Sequence, residues 1–207
     1  ELHVWHFRLF QDLDFAQQWV DRWQELRESV FTIEHISATV DGMATELAEA
    51  QVRNVERWPE TSPSPDYEGV ISQLKNLLTD SLTSTDRLML TPVSFNKHGG
   101  VVPVGFEATL SAPLGTIYYT LDGSDPRAPG GEISPQAIEY TGGPIAIDDT
   151  TRIVTRTRGE EGGTLNLEWW SAPATGDFVI SNGLLVSEVQ YNPHAASPSQ
   201  GELDTDH

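Results

Sequence analysis

Apolar positions change rhythm once along this chain. From residue 12 to about residue 90 they recur at three- and four-residue steps, and from 93 onward they alternate or fall in short runs between Gly and Pro. The first rhythm predicts amphipathic helices and the second predicts strands. Phe15, Trp19, Trp23, Leu26 and Val30 make the first helical stripe, with Val20 beside it and Asp21, Arg22, Glu25, Arg27 and Glu28 on the polar side. Asp12 or Asp14 can cap its N-terminus, where the helix dipole favours an acid. Thr32 is the candidate cap of a second helix, whose stripe is Ile36, Val40, Met43, Leu47, Ala50 and Asn54, and Pro59 ends it after Trp58. Ala44 and Ala48 add a small-residue strip, and Gly42 marks a kink or a tight contact. A third helix is expected to open with Ser64 as cap and Pro65 in the first turn. It would bury Tyr67, Val70, Ile71, Leu74, Leu77, Leu78 and Leu82, with Leu88 as an extension. Three such helices are expected to pack together, and against further structure upstream.

The second rhythm predicts strands at 93–96, 104–110, 116–121, 138–140, 144–147, 151–158 and 168–180, spaced as in a β-sandwich. Ile117, Tyr119 and Leu121 alternate with Tyr118 and Thr120, then run into Asp122-Gly123-Ser124-Asp125-Pro126. In that turn Gly123 supplies a positive φ, Ser124 and Asp125 can bond nearby backbone N–H groups, and Pro126 stops the ladder. The expected fold class is α+β in two segregated domains, a three-helix bundle-like subdomain followed by an immunoglobulin-like antiparallel β-sandwich. The expected boundaries are 1–90 and 91–182. Residues 183–207 would hold a strand, Leu184 to Pro193, and a polar tail that starts a further domain.

Charge narrows the partners. The formal net charge is −19, spread evenly: residues 1–90 carry 7 basic and 16 acidic side chains, and residues 91–207 carry 5 and 15. Such a surface repels nucleic acid and anionic membranes. Solubility is the plain explanation, and adaptation to a salty medium the sharper one. No apolar run is long enough to span a bilayer, so no membrane insertion is expected. Cysteine is absent, which removes disulfides and thiol chemistry. The chain opens on Glu1 without an initiator Met, and is read as a piece of something longer.

Candidate chemistry is sparse. His3 and His6 have metal-ligand spacing but no carboxylate partner at a set distance. Asp122, Ser124 and Asp125 gather oxygens in a glycine turn, as a calcium site would. A calcium loop needs more carboxylates at regular spacing, so the expectation is a turn that caps its own backbone, with no cofactor and no metal. Tyr118, Trp169 and Trp170 are the candidate ligand-binding rings, since flat exposed aromatics stack on sugars, and buried packing is the alternative. Arg152, Arg156 and Arg158 share one strand face, where they either grip a polyanion or balance acidic neighbours, and the second is expected. Among 31 acidic residues, no pair stands out as a general acid and base, so no catalytic residue is expected.

Three resemblances follow one another along the chain. Arg8-Leu9-Phe10, Asp14-Phe15 and the run Trp19 to Arg27 resemble the C-terminal helical part of the spore-coat-H-type protein kinases. Glu46-Leu47, Ala50-Gln51, Arg53-Asn54, Arg57-Trp58, Tyr67-Glu68 and Leu74-Lys75 continue it. The nucleotide- and metal-binding residues of that family lie upstream of such a segment, which implies no kinase activity for these residues alone. The run Tyr118 to Pro126, with Tyr140-Thr141-Gly142, Pro144-Ile145 and Trp170-Ser171, is similar to the chitobiase/β-hexosaminidase C-terminal module, also called the fibronectin-III-associated module. It implies an immunoglobulin-like sandwich, usually not catalytic. Leu185 to Val189 and Tyr191-Asn192-Pro193 resemble the first strand of a lamin-tail-type domain. Together these imply a secreted or cell-surface bacterial protein. Its partners would be the other domains of the same chain and, as the carbohydrate-binding alternative, cell-surface polysaccharide.

Overall fold

The computed structural model describes residues 7–59, 66–159 and 169–181. A helical turn at 7–10 precedes three helices: α1 (Leu13–Arg27), α2 (Ile33–Arg57) and α3 (Tyr67–Asp86). The caps explain the starts. The Asp12 carboxylate accepts the Asp14 and Phe15 N–H groups, and the Thr32 hydroxyl accepts that of His35. The third helix starts later than expected. Its cap is Asp66, whose carboxylate accepts the Gly69 N–H, and Ser64 and Pro65 lie outside the described residues. It also stops at Asp86, leaving Leu88 largely exposed.

Among the described residues nine strands follow: β1 (Ser94–Phe95), β2 (Gly100–Val102), β3 (Phe106–Ala108), β4 (Leu110–Ser111), β5 (Thr116–Thr120), β6 (Ile138–Glu139), β7 (Ile145–Ile147), β8 (Thr151–Arg158) and β9 (Ala174–Ile180). They form a five-stranded sheet in the order β2-β9-β8-β5-β6 and two ribbons, β1-β4 and β3-β7. One core unites them. Phe95, Val102, Ala108, Leu110, Ile117, Ile145, Ile147, Ile153, Phe178 and Ile180 are all buried in it and come from all three sheets. The architecture is therefore α+β in two parts, helices first and a β-sandwich second.

Several details differ from the sequence reading. Strand β2 was not expected, and it pairs with β9 in parallel, Val101 opposite Val179, whereas every other strand pair is antiparallel. The stretch expected as 104–110 is two short strands, each serving a different ribbon. The last strand begins at Ala174, because the residues before it pack across the sandwich toward α1. The strand expected from Leu184 lies outside the described residues.

The helices divide their loyalties. α2 and α3 form an antiparallel hairpin, tied by the Tyr67 hydroxyl donating to the Ala44 carbonyl and by Lys75 pairing with Asp41 at 2.6 Å. None of α2's side chains is buried. Met43, Leu47, Leu74 and Leu77 are 41–60% exposed. α1 instead buries Ala16, Gln17 and Val20, a face rotated from its aromatic stripe, and Ala16 and Val20 pack against Ala172 of the β half. Phe10, Trp19 and Met89 border this second, small core. Its far end meets the hairpin, where the Trp23 indole N–H and the Arg27 guanidinium both donate to Asp86.

Candidate functional site

The densest polar constellation lies where α1 meets the sandwich. Arg156 sits mid-strand on β8 and is 3% exposed. Its Nη1 and Nη2 donate to Asp21 at 2.7 and 2.8 Å, a bidentate pair with a helix 135 positions away. Its Nε and Nη2 donate to Asp125 at 2.7 Å each, and its Nη1 also reaches the Ser171 carbonyl at 2.8 Å. All five guanidinium N–H groups thus have acceptors, which is what makes a buried arginine tolerable. Burial alone would lower its pKa, but the hydrogen bonds it donates to Asp21 and Asp125 reverse this and raise it.

A second contact lies two helical turns earlier. Arg127 Nη2 donates to the Asp14 carboxylate at 2.7 Å and to the Leu13 carbonyl at 3.1 Å. The Gly130 N–H also donates to Asp14, at 2.9 Å. That N–H, and then Arg127, hold the Asp14 carboxyl below its usual value of 3.8. Between the two contacts, Gln17 Nε2 donates to Asp21 at 2.7 Å and to the Ser171 carbonyl at 3.2 Å. Asp14, Gln17 and Asp21 stand at i, i+3 and i+7, one face of a helix, with Ala16 and Val20 alongside.

The turn after β5 belongs to the same assembly. The φ of Gly123 is +78°, as a Gly at that position of the turn requires. Asp122 accepts the Ser124 N–H at 2.9 Å and its hydroxyl at 2.5 Å, and these bonds, the hydroxyl's first, lower the Asp122 carboxyl. Asp125 accepts the Arg127 N–H at 2.9 Å besides Arg156. So Ser124 serves the turn, and Asp125 serves the turn and the junction together. Among the described residues no group of three His, Cys, Asp or Glu side chains is arranged to hold a metal, and His3 and His6 lie outside them.

The candidate rings occupy the neighbouring layer. Trp170 is 1% exposed and donates its indole N–H to the Gly131 carbonyl at 2.8 Å, which leaves its faces to the protein interior. Tyr118 is half-buried, its ring 5.8 Å from that of Trp170. Trp169 is also half-buried, and a Cβ on Gly131 would stand 2.5 Å from its ring. Arg158 lies over both indoles, 6.0 Å from Trp169 and 5.7 Å from Trp170. The three arginines of β8 thus have three different neighbours: Arg152 faces Asp177 at 3.5 Å, Arg156 the junction, and Arg158 the tryptophans.

Sequence reasoning had Arg156 and Asp125 in hand and missed that they meet Asp21 and each other. The one available signal was Asp14, Gln17 and Asp21 flanking Ala16 and Val20, a second half-polar face beside the aromatic stripe. No helix among the described residues is long and apolar enough to cross a membrane. No curated protein and no solved structure matches the chain. Residues 2–83 match the family model described as CotH kinase protein, and residues 108–165 match the one described as Fn3 associated, so the chain carries a CotH-type helical segment followed by an Fn3-associated β module.

Proposed function

We propose that this chain is a non-catalytic structural unit of a large exported bacterial protein, a spacer or adhesion segment that holds a sandwich at a fixed angle to CotH-type helices. The observation that carries this reading is the full set of acceptors around Arg156, drawn from α1, from the Asp122–Asp125 turn and from the strand-to-strand connection. A tether meant to swing would not bury a charge against both of its neighbours, because every opening would expose and strand it. Incubation of the chain with labelled ATP and Mg²⁺ should give no transfer to itself or to a generic protein substrate. Its small-angle scattering in buffer of low ionic strength should fit one shape at all protein concentrations. Phosphoryl transfer by these residues would sink the reading.

A second reading is favoured by the CotH match and by the exposed Met43, Leu47, Leu74 and Leu77 of the hairpin. In it the helices complete the C-terminal lobe of an atypical kinase that works only with preceding sequence. ATP-dependent labelling by a longer chain, abolished by removing an upstream carboxylate, would support it. Carbohydrate binding, the third reading, rests on Tyr118 and Trp169, the half-buried rings, and a glycan array without hits would end it.

A further inference from the structure

We propose that the sandwich carries a receptor face for one acidic amphipathic helix, and that α1 is its resident occupant, so that α1 folds with the strands rather than with α2 and α3. The inference deepens the structural reading above and rests on it. The receptor is built from two arginines and one apolar step: Arg127 with the Gly130 N–H, Ala172, and Arg156 with the Ser171 carbonyl. Its spacing is set to a helix. Asp14 and Asp21 are seven residues apart, about 10.5 Å along a helix axis, which puts both carboxylates on one side. Ala16 and Val20 fill the gap between them, and Gln17 satisfies Asp21 and the Ser171 carbonyl at once.

Charge complementarity fixes the class of occupant. On a chain of net charge −19, this face offers two nearly buried guanidinium groups, with side chains 8% and 4% exposed, whose charge is met by carboxylates. The helix must also bring a small apolar residue between its two acids, where Ala16 is 0% exposed and packs with Ala172. α1 meets both conditions. Its three buried side chains all lie toward the β half, whereas toward the hairpin Trp23 and Arg27 at its far end donate to Asp86. The fold-family boundary, which falls between residues 83 and 108, therefore cuts the chain on the wrong side of α1 as far as cooperativity is concerned.

The test uses the full chain with a protease site inserted at residues 29–31, between α1 and α2. After cutting, the α1 piece should stay with the remainder through size exclusion. Asp14→Asn with Asp21→Asn should release it, and Asp86→Asn should not. Release from the otherwise unaltered cut chain, or release by Asp86→Asn alone, would overturn the proposal. Native-state hydrogen exchange on the uncut chain guards against an insertion that misfolds. α1 amides should open with those of β5 and β8, and Asp21→Asn should speed their exchange by about tenfold or more, the loss of one or two charge-assisted bonds. Exchange of α1 in step with α2 would overturn it. Phosphoryl transfer by the chain would defeat the non-catalytic reading without moving any of these readouts, so the two failures are told apart.

Discussion

Arg156 decides more than any other residue. Replacing it with Gln leaves Asp21 and Asp125 facing each other across the junction without a cation. Loss of one partner of a buried pair costs roughly 3–5 kcal/mol. Here the carboxylate side chains are 32% and 44% exposed and can recruit water, so roughly 2–4 kcal/mol is expected, read as a lowered urea midpoint. Asp14 supplies a pH dependence. Its carboxyl is depressed in the folded chain, so its contribution is present above the unfolded value near 3.8 and is lost as pH falls through the lower folded value. Acid should therefore weaken the α1 junction, and Asp14→Asn should flatten that part of the stability profile in an acid titration followed by urea melts. The sequence led to the expectation that the β8 arginines would face acids, which Arg152 and Arg156 do and Arg158, set over the tryptophans, does not. It could not say which acids, because the 135 positions between Asp21 and Arg156 are closed only by the fold.

At the level of elements, the local signals were read well where chemistry is local. Asp12 and Thr32 cap the helices as expected, and β5 runs into its turn at Asp122-Gly123. They failed where the environment decides. Strand β2 has only three residues and begins on the second Gly of a pair, too short to show a period, and it exists because β9 lies alongside it. The buried face of α1 is the polar-looking one because two arginines wait for it. Gly42 illustrates a further limit. It sits mid-helix in α2, and a Cβ there would meet nothing within 4 Å, so neither a tight contact nor a break in the helix explains it. Gly42→Ala should raise stability by about 0.5–1 kcal/mol, by helix propensity. Gly131→Ala should do the reverse, because φ is +85° and the new methyl would meet the Trp169 ring at 2.5 Å. Thermal melts of the two variants should therefore move in opposite directions.

For the whole molecule, two cores of unequal size carry the structure. The sandwich core draws on all three sheets, and the smaller one joins α1 to Ala172. The hairpin has little of either. The division into a helical part and a β part was legible from the change of apolar rhythm, since period is a property of sequence. The way the parts join was not, since it rests on a handful of polar contacts with no period at all. The uncovered leucines and methionine of the hairpin have a consequence for handling the protein. With −19 charges on each copy, like-charge repulsion opposes the meeting of these greasy flanks. At 0.1 M ionic strength, screening removes that protection beyond about 10 Å. Dynamic light scattering should thus show larger particles as sodium chloride is added, and Leu47→Lys with Leu77→Lys should cancel the growth; a chain kept dispersed by its acids alone would salt out early and stay clear in dilute buffer.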